Sequence, residues 1–295
     1  MPGPELATIT DGALTARINP FGAELWSLTD GAGREYMTSA DPAFWSGHAP
    51  LLFPIVGAVN GGRYRLDGRE YAIAKHGFAR TSQFAAELVA SDRIRFTLVD
   101  SETSRLVYPF AFVLTAEFAV KEATLAMAVT VRNTGDRPMP FSFGFHPAFA
   151  WPVPDGGPKT AHRVVFERAE PEPVRRIDQT TATLLPQPEP SPVNGRVLVP
   201  DAALFEKDAL IWDRLNSRAL SFSGESGPSL EIAFPDSPNL GIWQKPGAPF
   251  LAIEPWQGFN DPQGFSGDLR EKPGIVMLAP GGARRFRMDV TVRSG

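Results

Sequence analysis

Four histidines occur in the 295 residues, and a side chain that titrates near neutrality is the usual proton carrier in catalysis. His146 lies in FGFHPAF, residues 143–149, with Pro147 fixing the chain just after it. If this stretch is a strand, Phe143, Phe145 and Pro147 point to one face, and His146 points to the other with Ser142 and Gly144 as its neighbours. Small neighbours leave space beside the imidazole, as in a concave site. His76 lies in HGFAR, residues 76–80. It reads either as a solvated hairpin corner or as a polar pocket wall in which Arg80 offers a fork of donors to hydroxyl or phosphate oxygens. His48 sits beside the apolar run of FWSGHAPLLFPIVG and reads as a structural histidine. His162, in TAHRVVFER, reads as a surface or strand-edge residue.

A carboxylate is the natural complement to an imidazole. Glu254 follows the apolar run FLAI and precedes Pro255 and Trp256, so it stands where a strand ends. It reads as a turn residue at a sheet edge or as a general base beside an aromatic ring. Trp243 and Gln244, just upstream, add one more apolar and one more polar group. Aromatic faces with amide and carboxylate groups suit a polyhydroxylated ring, whose C–H faces are apolar and whose rim is all hydroxyls. Other chemistries lack their motifs: there is no Gly-rich phosphate loop, no His-Glu-x-x-His and no Gly-x-Ser-x-Gly elbow. The absence of cysteine excludes disulfides and thiolate metal sites. The acid/base reading of His146, His76 and Glu254 is what elimination leaves.

The elements that must position these groups are strands. Gly (27) and Pro (29) are spread along the chain, and the apolar segments between them are short and of period two: RIRFTLVD, FVLTAEFAV, LAMAVTVRN, RRFRMDVTVRS. Only DPAFW and PDAALFEKD could hold a helical turn or two. The expectation is an all-β protein, a large sandwich or barrel formed as one domain over residues 1–295. The proline-rich stretch 169–196 is composed like a linker, but reads as a long excursion over one sheet because the strands on both sides share one pattern. A formal net charge of -4 without a long basic run points away from nucleic acid and anionic membranes. No apolar run approaches the roughly 18 residues of a membrane helix. The start, MPGPELATITDGAL, has neither a basic leader nor an apolar core, so a cytoplasmic location is expected.

The set HGFAR (76–80), FGFHPAF (143–149), LFEKDALIW (204–212), GIWQKPGAPFLAIEPWQG (241–258) and EKPGIVMLAPG (271–281) resembles the aldose 1-epimerase, or galactose mutarotase-like, family. The likeness is greatest to the divergent bacterial members related to the products of lactose operons. The resemblance implies a mostly antiparallel β-supersandwich with an open sugar pocket, and interconversion of the α and β anomers of a free aldose. It implies Glu254 as the base at the anomeric O1 hydroxyl, His146 as the acid at the ring oxygen O5, and His76 as a group that holds or polarises the sugar. Arg80 and Asp208 would bind hydroxyls, with Gln244 and Trp256 completing the substrate contacts. No metal or organic cofactor is implied, and the partner is a small sugar bound by a monomer or weak homodimer. The Gly-Phe-His-Pro setting of His146 departs from the Asn-x-x-x-His context usual in mutarotases. Three alternatives stand beside this reading. One is a sugar-binding or sensing protein without catalysis. Another is a glycoside-processing enzyme that pairs Glu254 with Asp208 or Asp261. The third is an epimerase of a phosphorylated hexose, with Arg63 and Arg65 joining Arg80.

Overall fold

A computed structural model describes residues 5–295. The period-two segments form strands, and almost all pairing is antiparallel. Nine strands make one large sheet, in the order Val197–Leu198, Arg163–Phe166, Ala219–Ser223, Ser229–Ala233, Ala283–Arg293, Thr124–Asn133, Phe112–Lys121, Arg93–Val99 and Ala85–Ala90. In Phe112–Lys121 buried residues alternate with half-buried ones as far as the exposed Lys121, as in a sheet with one face on the core and one toward water. A three-stranded sheet is built from Ala7–Thr10, Leu14–Asn19 and Glu24–Asp30.

The sheet that matters for chemistry has the order Leu210–Trp212, Asn239–Trp243, Phe250–Gln257, Phe143–Phe145 and Leu51–Leu52, with Ala148–Ala150 also pairing Phe250–Gln257. One face packs on the nine-stranded sheet. Phe143 stacks on Phe286 with ring centroids 5.0 Å apart, Phe53 meets Phe112 at 5.0 Å and Trp212 meets Phe166 at 5.7 Å. The core so formed draws residues from Ile9 to Val292. The other face carries Trp256 and Ile211 in a separate apolar cluster, and loops cover it.

Helix is scarce, as the pattern implied. DPAFW forms one turn, in which Asp41 receives the backbone N–H groups of Ala43, Phe44 and Trp45. PDAALFEKD contains the 3-10 turn Ala202–Phe205, capped by the Asp201 carboxylate on the Ala203 N–H at 2.8 Å. One short α-helix, Glu102–Val107, was not expected from periodicity, because six residues are too few to show a 3.6-residue repeat. Its signal is local: Ser101 and Ser104 cap each other's backbone N–H. The stretch 169–196 doubles back on itself through Val174–Glu189 and Ile177–Leu184 bridges. It lies along the site sheet by pairing Arg175 with Ile211.

Candidate active site

Strand register brings the first two groups together. Gly144 pairs with Trp256 and Ala148 with Ala252, so the stretch 143–150 runs as one interrupted strand along Phe250–Gln257. The interruption falls at His146 and Pro147, which sets His146 opposite Glu254. The Pro147 carbonyl still accepts the Ile253 N–H at 3.1 Å, so the chains do not diverge there. His146 Nε2 lies 3.0 Å from Glu254 Oε2, with the side chains only 9% and 2% exposed. On its other side Glu254 pairs with Gly241.

The small residues have a more specific role than leaving room beside the imidazole. A Cβ on Gly144 would fall 2.5 Å from Trp256 Cδ1, and one on Gly241 would fall 2.6 Å from the far edge of the same indole. The space over both glycines is therefore filled: Trp256 lies flat across three strands and floors a pocket of about 260 Å³. Trp45, from the turn at Asp41, stacks on the His146 ring at 4.9 Å, and Trp243 meets that ring edge-on at 6.0 Å.

His76 and Arg80 form the wall. Gly77 has a φ of +72°, and a Cβ there would sit 2.2 Å from the Phe53 carbonyl oxygen, so only glycine lets this turn dock on the sheet edge. His76 itself has a φ of +68°, in the region side chains avoid. A reciprocal pair holds it there: the His76 N–H donates to the Gly57 carbonyl at 2.8 Å, and the Gly57 N–H donates to His76 Nδ1 at 3.1 Å. Because Nδ1 accepts, the ring proton is on Nε2. The two ring centroids of His76 and His146 are 5.7 Å apart.

Asp208 also lines the pocket. It closes the turn after Ala202–Phe205 at a φ of +67°, and Arg176 braces that turn by donating to the carbonyls of Leu204, Asp208 and Ala209. Arg80, His76, His146, Asp208, Glu254 and Trp256 thus share one pocket. Lys75, Trp45, Ile177 and Asn260 line it too and escaped the sequence reading, since they come from loops without periodic pattern. Lys75 directly precedes the HGFAR motif, which was the one signal that could have found it.

Four expected contributors lie elsewhere. Gln244 is buried behind Trp243, where its Nε2 donates to the Ala248 carbonyl at 2.7 Å and closes a turn. Asp261 is engaged by Lys272 at 2.6 Å and by the Asn60 N–H at 2.9 Å, which removes it as a partner for Glu254. Arg63 and Arg65 line a different pocket, of about 220 Å³, so they do not join Arg80. His162 is fully buried, not at the surface, with Nε2 accepting the Val153 N–H at 3.0 Å. His48 is structural as expected, stacked on Trp26 at 4.0 Å.

Electrostatics favours uncharged forms in the pocket. Burial pushes His146 down to about 3, the Arg80 and Lys75 charges acting in the same direction. Burial likewise holds Glu254 well above the usual carboxylate range, opposed by Lys75. His76 is pushed well below 6.5 by burial and then by Lys75, His146 and Arg80. Burial thus disfavours the charged form of all three groups, and the acceptor role of Nδ1 leaves His76 a donor through Nε2. The 3.0 Å approach is not aligned as a hydrogen bond. Glu254 Oε2, His146 Nδ1 and Trp256 Nε1 are all buried without a hydrogen-bond partner among the described residues. A larger groove of about 510 Å³ crosses the outer face of the nine-stranded sheet, but its lining contains no histidine or aromatic residue.

The sequence profile of the aldose 1-epimerase family matches residues 5–289. The chain is 31% identical over 288 residues to the chromosomal protein LacX of Lactococcus lactis subsp. lactis, covering 95% of this chain and 96% of LacX. Its fold superposes on a galactose mutarotase related enzyme from Lactobacillus acidophilus with a TM-score of 0.90 at 30% identity, covering 98% of each chain. A galactose mutarotase-like protein from Lactobacillus casei gives the same TM-score at 28% identity, covering 98% of this chain and 100% of the other. The profile match and the LacX likeness both run nearly end to end, and on them the chain belongs to the aldose 1-epimerase family.

Proposed function

We propose that the protein interconverts the α and β anomers of an aldose by general acid/base ring opening, with Glu254 and His146 as the proton carriers. The carrying observation is their 3.0 Å contact in a half-open pocket. O1 and O5 are both bonded to C1, so a base at one and an acid at the other must be near neighbours. Cleavage of a glycosidic bond between two carboxylates instead needs them roughly 5 to 9.5 Å apart. A lining that combines Trp45, Trp243 and Trp256 with Arg80, Asp208 and Asn260 suits a ring with apolar C–H faces and a rim of hydroxyls.

In this reading the pair, 3.0 Å apart, meets the closed ring as carboxylate and imidazolium. Glu254 takes the O1 proton, His146 gives its proton to O5, and the C1–O5 bond breaks. Rotation about C1–C2 presents the other face of the aldehyde, and the reverse transfers close the ring. After ring opening the carboxyl is protonated and the imidazole is neutral, the state that burial favours. Burial therefore stabilises the enzyme groups at the open-chain stage. His76, with its proton on Nε2, donates to a sugar oxygen, Arg80 and Asp208 hold hydroxyls, and Trp256 stacks on the C–H face.

The test is saturation-transfer NMR of anomer exchange across a panel of aldoses. Glu254→Gln and His146→Asn are each expected to slow exchange by about 10² or more, the scale of general acid/base catalysis, with unchanged circular dichroism. Wild-type rates in both variants would sink the proposal. Sugar binding without any exchange would instead identify a binding protein.

A further inference from the structure

Building on the epimerase reading, we propose that the pocket selects an aldose carrying an anionic group, a carboxylate or a phosphate, and that Lys75 is the residue that selects it. Lys75 and Arg80 lie at the two ends of the turn that also carries His76, and both line the pocket. Among the residues that line the pocket, the one ion pair is His146 with Glu254. Neither Lys75 nor Arg80 has a carboxylate within ion-pair distance among the described residues.

Charge balance sharpens the point. Glu254 is engaged by His146 at 3.0 Å, and burial favours its neutral form. Asp208 is the only other carboxylate lining the pocket, and it forms no ion pair with either cation. The whole chain, by contrast, is formally -4. Glu24 acts on Arg80 from outside the lining, but its Oε1 is engaged by the N–H groups of His48 at 2.6 Å and Ala49 at 2.9 Å. Burial also raises its carboxyl toward the neutral form.

An uncompensated cation in a cleft concentrates anions and steers them inward. A guanidinium fork and an ammonium lining one pocket suit a carboxylate or phosphate better than lone hydroxyls. The placement is also chemically consistent. The exocyclic carbon of a hexopyranose is attached to C5, next to O5, and therefore lies on the His146 side of the ring. The charges of Lys75 and Arg80 both reach His146. At about 260 Å³ the pocket is below the usual range for ligand sites, roughly 300 to 1,000 Å³, which suits one monosaccharide.

Anomer exchange should be compared for glucose and galactose, their uronates and their 6-phosphates, at low and high salt. At low salt the anionic sugars are expected to exceed the neutral ones by about tenfold in kcat/KM, as a charge pair near the surface allows, and the advantage should shrink with salt. Lys75→Ala should lower kcat/KM for anionic aldoses about tenfold more than for neutral ones, and Lys75→Arg should keep the preference. Preference for uronates over phosphates, or the reverse, identifies the anion. A neutral aldose turned over as well as or better than its anionic counterparts overturns the inference and leaves the epimerase reading intact. So does an equal loss on both classes in Lys75→Ala. If no sugar exchanges, the epimerase reading fails, and calorimetric binding of the same sugars to wild type and Lys75→Ala decides the anion preference by the same criteria.

Discussion

At the scale of single residues, what the site needs is a His146–Glu254 pair that takes up no second proton in the working pH range. An ordinary histidine would gain a second proton near pH 6.5 and end the pair's competence there. Burial lowers His146 to about 3, so exchange is expected to stay flat as pH falls through 6.5 and to decline only in strong acid, as far as the fold survives. A pH–rate profile of kcat checks this, and a decline with an apparent pKa near 6.5 would contradict a neutral buried imidazole. Much of the pocket's membership was legible in the sequence: Glu254, His146, His76 and Arg80 stand in short motifs and share one pocket, whereas their roles came from the family resemblance. Gln244 was misread for a physical reason. Strand Asn239–Trp243 turns Gly241 and Trp243 toward the pocket, and alternation then sends the next side chain away.

At the scale of elements, the pocket floor depends on two faces of one short strand doing opposite things. Phe143 packs into the core against Phe286 and is fully buried, whereas Gly144 supports the Trp256 indole on the other face. Phe143→Ala is expected to cost about 3–5 kcal/mol of stability while the protein that remains folded keeps a kcat close to wild type. Gly144→Ala is expected to cost about 1–3 kcal/mol by overpacking and also to slow exchange, because the indole must tilt into the pocket. Urea denaturation paired with NMR exchange separates the two, and a Gly144→Ala variant with normal exchange would show that the flat indole is not needed. Alternation in FGFHPAF foretold which side chains share a face. It could not foretell that the glycine is covered by a tryptophan 112 positions away in the chain, since strand pairing is a long-range fact that no local pattern encodes.

At the scale of the whole molecule, all four histidines are buried and all are shifted downward, His48 to about 4. In the unfolded chain each takes up a proton near pH 6.5, so the unfolded state binds more protons below that pH and stability falls as pH falls. Glu24 and Glu254 are raised by burial. Their contribution is present below the unfolded value near 4.5 and is lost as pH rises, so it opposes the trend, with two protons against four. The midpoint of urea unfolding is expected to drop between pH 6 and pH 5, and a midpoint that rises there would show that the carboxyls dominate. Fold class was legible at this scale because period-two segments between turn residues admit little else. The path of 169–196 was legible only as an excursion. Its composition does not reveal that Ile177 ends in the pocket or that Asn260 Nδ2 holds the Ala182 carbonyl at 2.7 Å. The pocket thus draws on segments from Trp45 to Asn260, and no partial fold can present it. A sugar that occupies it binds the finished molecule alone, so abundant substrate acts as a chaperone by mass action: at a hundred times its Kd it deepens the native basin by about 2.7 kcal/mol.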